Sequence, residues 1–163
     1  MFHDIHLWPE AIKKLVGCFL FILLVGYTTS LFLLNDTSGT RAATIIEHYN
    51  GNEANEDAEI MKFKKSQHEI LVIMHTHILS LAPIFFILSF LLYHTPLKGS
   101  VKKFLMYEPL LALITTFGGI YLIWLGIEWM AYIVLISGFF MHGSFYIIST
   151  YLFYQLIQKR QKQ

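Results

Sequence analysis

A single cysteine, Cys18, is the only thiol in this 163-residue chain, which excludes an intrachain disulfide and the paired-thiol attachment of a c-type haem. Charge is scarce as well. Asp, Glu, Lys and Arg make up 14% of the residues against 55% hydrophobic ones, a balance far from that of a soluble globular domain. The formal net charge of +1 gives no electrostatic case for nucleic acid. There is no Ser-His-Asp set, phosphate-binding glycine loop or Cys/His finger, so hydrolase, nucleotide-binding and zinc-finger readings have no support. No repeat period or low-complexity tract is visible.

What the chain has in abundance is long apolar sequence. Crossing the hydrocarbon core takes about 20 apolar residues, and four runs reach that length: 15–34, 70–93, 104–127 and 129–157. The expected fold is an all-α membrane protein, a four-transmembrane-helix bundle with a long external loop at 35–69, and the whole of 1–163 reads as one transmembrane domain. Lys13 and Lys14 before the first run suggest a secretory signal. The apolar stretch is longer than a signal core and has no small-residue cleavage pattern after it, so a retained helix is expected.

Lysine placement predicts the orientation. Lys13 and Lys14, then Lys98, Lys102 and Lys103, then Lys159, Arg160 and Lys162 flank the runs in segments that should share the cytoplasmic side. Both termini then face the cytoplasm. The external loop carries Asp36, Glu47, Glu53, Glu56, Asp57 and Glu59 against Arg41, Lys62, Lys64 and Lys65. Within it, Thr40 is placed to cap a short amphipathic helix through His48, which Asn50 and Gly51 would stop. An acidic turn over 52–59 follows. The N-terminal stretch, with His3, His6, Trp8 and Pro9, reads as an interfacial anchor whose Trp sits at headgroup depth.

The chemistry-bearing residues are histidines at lipid depth. His75 and His77 lie inside the second run, and ionisable side chains there need a reason to be present. Two positions apart on a helix means about 200° of rotation, so the pair cannot chelate one ion together and at most one faces the bundle centre. Three roles are open to that one: a neutral imidazole satisfied by a hydroxyl such as Tyr27, Thr28, Thr29 or Ser30; an axial ligand of b-type haem; or a metal ligand with His68, His48 or a loop carboxylate. For haem, His142 in the fourth run is the partner candidate. It lies about 8 Å from His77 in depth when counted from the run ends at 1.5 Å per residue. Nearby Gly138, Gly143 and Ser144 would permit close helix approach or a flat cofactor. His68 sits seven residues before His75, on nearly the same face, as a second metal ligand or proton exit. At the cytoplasmic end His94, Tyr107 and Glu108 form a candidate quinone or proton-entry cluster. Glu108 followed by Pro109 also suits the first turn of the third helix. Pro83 should kink the second helix, with Ser80 helping to resatisfy the backbone.

Glu47-His48-Tyr49-Asn50-Gly51, Phe63-Lys64-Lys65-Ser66 and His75-Thr76-His77, with Trp124 and Trp129 around the end of the third run, resemble a family of small bacterial four-helix inner-membrane proteins. That family has an external Glu-His-Tyr-x-Gly segment, a Phe-x-Lys-Ser segment and a Thr-His-x-His start to its second helix. Two positions depart from it: Met74 stands where the pattern has threonine, and Phe90 where it has a later histidine. The resemblance implies a bacterial inner-membrane location and a neighbourhood of multihaem cytochromes. The resulting expectation is a small subunit of an electron-transfer complex, binding haem b through His75 or His77 with His142 and linking quinone to an external cytochrome. A non-catalytic anchoring subunit and a metal-binding membrane protein are the alternatives.

Overall fold

The computed structural model describes residues 4–53, 55, 58 and 60–158. His3, Glu56, Asp57, Glu59, Lys159, Arg160 and Lys162 lie outside the described residues. The elements are a 3-10 turn at Ile5–Leu7 and helices α1 (Glu10–Thr37), α2 (Ala42–Asn50), α3 (Gln67–Tyr93), α4 (Gly99–Trp124) and α5 (Met130–Ile157). All but α2 are long and apolar enough to cross a membrane, so the expected all-α, four-span architecture is what forms.

The helices differ from the apolar runs at their ends, where polar residues complete the backbone ladder. α3 begins at Gln67 because Ser66 caps it. The Ser66 hydroxyl accepts the Glu69 N–H at 3.3 Å, while the Glu69 carboxylate takes the Ser66 N–H at 2.7 Å and its O–H at 2.8 Å. Ser66→Ala should cost about 1 kcal/mol, seen as faster amide exchange in the first turn of α3 with the rest of the helix unchanged. α4 starts at Gly99, before the apolar run, and stops at Trp124 because Gly126 adopts a left-handed φ of +96°. The early start places Glu108 in the third turn, beyond the reach of the N-terminal dipole. The first-turn account of this residue is therefore wrong.

α4 and α5 form the antiparallel centre. They come close at Gly119, where an added Cβ would stand 2.6 Å from Val134 Cγ2. Gly138 and Gly143 have open space instead, so they are not the small residues that let helices meet. α3 lies along α4 and buries Phe85, Leu88, Leu91 and Leu92 in its second half, with the Ser89 hydroxyl donating to the Met106 carbonyl at 2.9 Å. It runs on through Pro83, and Ser80 donates to the carbonyl of His77 at 3.2 Å. α1 leans on α5 and buries only Leu20 and Tyr27.

At the end bearing the termini, the segment before α1 folds back onto the bundle. Ile5 is fully buried and its N–H donates to the His94 carbonyl at 2.7 Å, while Trp8 packs against the His94 ring at 5.8 Å. The opposite end is closed by a clasp built from the loop. α2 is capped by Thr44, whose hydroxyl accepts the Arg41 N–H at 3.3 Å and donates to the Arg41 carbonyl at 2.9 Å. Thr40 is not its cap. Asn50 then donates to the Ile123 carbonyl at 2.7 Å, the Lys65 N–H to the Tyr49 carbonyl at 3.1 Å, and the Trp124 indole N–H to the Lys65 carbonyl at 2.8 Å. Lys64 stands over the Trp124 ring at 5.3 Å, and Lys62 reaches Glu47 at 3.9 Å. The Glu47–Gly51 and Phe63–Ser66 segments thus meet each other and the end of α4.

Two ionisable groups in the clasp are perturbed. Burial pushes the Tyr49 hydroxyl up to about 12, so it stays neutral. Burial, with Lys65 and Lys62 nearby, lowers the His48 pKa against an opposing hydrogen bond to the Thr37 backbone. A base with a lowered folded pKa is charged first in the unfolded chain. His48 should therefore leave clasp stability unchanged above about pH 6.5 and weaken it as pH falls below that, levelling once the folded imidazole is also protonated. Amide exchange at Lys65 across pH 5–8 reads this, and His48→Gln should flatten the curve.

Candidate functional site

The polar residues at lipid depth converge on α5 from both sides. Residues 142 and 144 are about 200° apart around a helix, and the two positions face different neighbours. Toward α1, the Tyr27 hydroxyl and His142 Nδ1 are 2.7 Å apart, and Thr28 Oγ1 and the Tyr146 hydroxyl are 2.9 Å apart. The Tyr27 ring stacks on Phe145 at 3.7 Å and meets Phe85 of α3 edge-on at 6.5 Å. Toward α4, Ser144 donates to Glu108 Oε2, and Thr116 and Ser137 pair at 2.7 Å. Measured from the midpoints of their helices, Tyr27, Glu108, His142 and Ser144 all lie within about 5 Å along the axis, at 1.5 Å per residue. They are near the centre of the spans.

The other Glu108 oxygen, Oε1, is buried and has no protein partner. The residue lines a groove of about 530 Å³ between α4 and α5. Tyr107 and Lys103 line the same groove, whereas His94 is buried at the end of α3 against Trp8, Phe90 and Tyr93. The expected cluster therefore divides: Tyr107 and Glu108 share a site, and His94 belongs to the packing of the N-terminal segment.

Neither helix histidine faces the bundle centre. His75 and His77 are both exposed on the first half of α3. His77 lies against Phe117 with ring centroids 4.9 Å apart, and its Nδ1 bonds its own helix at the Ile73 carbonyl, 2.8 Å away. Of the α1 hydroxyls, Tyr27 and Thr28 serve His142 and Tyr146 of α5, and Thr29 and Ser30 bond carbonyls of their own helix. The true helix ends bring His77 and His142 to within two residues of one depth, about 3 Å, so depth is not what separates them. Orientation and packing do. His142 turns to α1, held through Nδ1 by Tyr27, whose ring is wedged between Phe145, Phe85 and Tyr146, while His77 lies against Phe117 of α4. The structure therefore does not bring His142 together with His75 or His77. Nor do His68, His75 and His77 form a chelate: among the described residues no three His, Cys, Asp or Glu side chains converge as metal ligands. His68 lies on the surface beside Lys65 and Glu69.

A transmembrane helical domain family, Aq_1264_TM, matches residues 39–163. The chain belongs to that family. The Aq_1264_TM match takes in the clasp and α3 to α5, with the Glu108 groove, and leaves α1 before it. No curated protein and no solved structure matches the chain. Reading the sequence alone missed the Glu108–Ser144 and Thr116–Ser137 pairs. The available signal was the seven-residue spacing of Ser137 and Ser144, which puts both on one α5 face.

Proposed function

We propose that this multi-pass membrane protein is a small subunit of a larger electron-transfer assembly, lying in a bacterial inner membrane with both termini cytoplasmic and its partner seated against the first half of α3. The observation that carries this is the exposure of His75 and His77 at hydrocarbon depth. Measured from the α3 midpoint they lie about 8 and 5 Å along the axis, inside a half-thickness of about 15 Å. Lipid chains offer an imidazole no hydrogen bond, and polar groups at this depth face protein or a water-filled cavity. The resemblance to proteins found beside multihaem cytochromes favours a redox partner, with the clasp as the surface presented to an external cytochrome. A haem reached by His75 or His77 would lie at the subunit boundary and need its second ligand from the partner. An anchoring subunit would use the same face, and the exposed α3 histidines are equally its observation.

The test is a photo-crosslinking residue at Leu79, beside the histidines, and in parallel at Phe139 on α5, in cells of the native host. Capture of one protein from Leu79 and only lipid from Phe139 is expected, and a haem-containing partner identifies the electron-transfer reading. A colourless partner leaves the anchoring role. Lipid adducts alone at both positions overturn both.

A further inference from the structure

We infer that the groove between α4 and α5 is a binding site for an isoprenoid quinone, entered sideways from the bilayer, with Glu108 bonding a carbonyl of the quinone head. It stands on the groove alone and does not depend on the partner proposed above.

The groove runs from Lys103 to Thr115 along α4, about 18 Å at 1.5 Å per residue. Its walls are apolar, with Phe104, Leu111 and Ala112 on one side and Ile136 and Phe140 on the other. In that wall stands one carboxyl group, tied through Oε2 to Ser144 and left with Oε1 buried and unbonded. A buried polar atom without a partner is costly, more so for a charged group in hydrocarbon. A neutral acid costs least at this depth, and its O–H at the buried Oε1 would still lack an acceptor. The ligand must therefore bring a hydrogen-bond acceptor to within about 5 Å of the helix midpoint while filling a long apolar channel.

Chemistry narrows the choice. A phospholipid has the apolar length, but its carbonyls and phosphate stay near the headgroup region, roughly 10 Å further out. A steroid or fatty alcohol carries a single hydroxyl, which accepts but also donates and so brings an O–H of its own to satisfy in the apolar groove. A quinone has a small, uncharged head with carbonyl acceptors on a long apolar tail, and can carry that head to the middle of the membrane. Tyr107, one residue before Glu108 and exposed on the groove, offers a second hydroxyl to the head. The site as described binds the quinone; nothing in it assigns an electron step to this chain.

The experiment uses the full chain in phosphatidylcholine/phosphatidylglycerol nanodiscs with a tritiated azido-benzoquinone carrying a decyl tail, labelled by light, competed with unlabelled decyl-benzoquinone and mapped by mass spectrometry. Saturable, competed labelling on residues 104–112 and 136–140 is expected. Glu108→Leu should weaken it at least tenfold. Glu108→Gln, which keeps an N–H donor, should stay within about threefold. Leu111→Trp, a change at a lipid-exposed wall position that leaves the Glu108–Ser144 pair intact, should also weaken it, guarding against misfolding of the leucine variant. Labelling spread over all lipid-facing helices, labelling that competitor does not reduce, a co-purified phospholipid that quinone does not displace, or wild-type affinity in both Glu108→Leu and Leu111→Trp would each overturn the proposal.

Discussion

Tyr27→Ala is expected to release α1 from the rest of the bundle while α3, α4 and α5 stay together. α1 buries only two side chains, Leu20 and Tyr27, and Tyr27 makes most of its specific contacts: the stack on Phe145, the edge contacts with Phe85 and Tyr146, and the hydrogen bond to His142. Between helices in lipid there is no hydrophobic driving force, so packing and polar ties hold them. The hydrogen bond is worth about 0.6 kcal/mol on average in such settings, and removing a buried ring costs about 3 kcal/mol or more. Tyr27→Phe should therefore do far less than Tyr27→Ala. The lone thiol makes the measurement direct, because Cys18 lies exposed on α1. A spin label there should gain mobility in Tyr27→Ala and change little in Tyr27→Phe. Equal effects would mean that the hydrogen bond dominates, and no effect in either would mean that α1 is held elsewhere.

The second large effect is expected at Gly51. Its φ of +80° with ψ of 176° falls in a region that only glycine occupies comfortably, and strain of this kind costs about 1–3 kcal/mol. A Cβ there would also stand 2.7 Å from the Lys64 nitrogen and 2.8 Å from the Lys62 carbonyl oxygen. Both are backbone atoms of a segment pinned by the Tyr49–Lys65 and Trp124–Lys65 bonds, so it has no flexible end to move aside. Gly51→Ala should open the clasp: the Lys65 amide should exchange freely and Trp124 emission should shift red, measured with Trp8 and Trp129 replaced by Phe. Gly126, with φ of +96° and nothing within 4 Å of an added Cβ, is the control. Alanine there bears the conformational strain without the collision and should leave the clasp shut.

These two positions were not equally legible in the sequence. Asn50-Gly51 announced the end of α2, and the segment that Gly51 packs against, Phe63-Lys64-Lys65-Ser66, was already singled out. Their meeting was not visible, because it joins segments separated by residues 52–62, beyond the reach of capping and turn rules. Tyr27 offers a hydroxyl at the right depth, and the sequence points to a histidine of α3 as its partner, where the structure has His142 of α5. Periodicity places a side chain on a face of its own helix, and it cannot say which neighbour that face meets when all neighbours are apolar. The same gap misassigned His75 and His77. Their mutual angle was correct, and the inward placement of one of them was not: both are exposed, with His77 against Phe117 of α4.

The sequence by itself determined the class of this protein. Run length and scarce charge demand four spanning helices, because an unpaired backbone group or charge in hydrocarbon is too costly for any other arrangement. It also determined the stop of α2 at Asn50-Gly51, whereas the ends set by Ser66 and Gly126 lay outside what apolar run length showed. Only the tertiary structure decided the partners: His142 with Tyr27, Ser144 with Glu108, Lys65 with Trp124. In helices that are apolar all round, helix order and rotation are set by a few polar pairs and one close glycine contact, and those exist only once the helices are side by side.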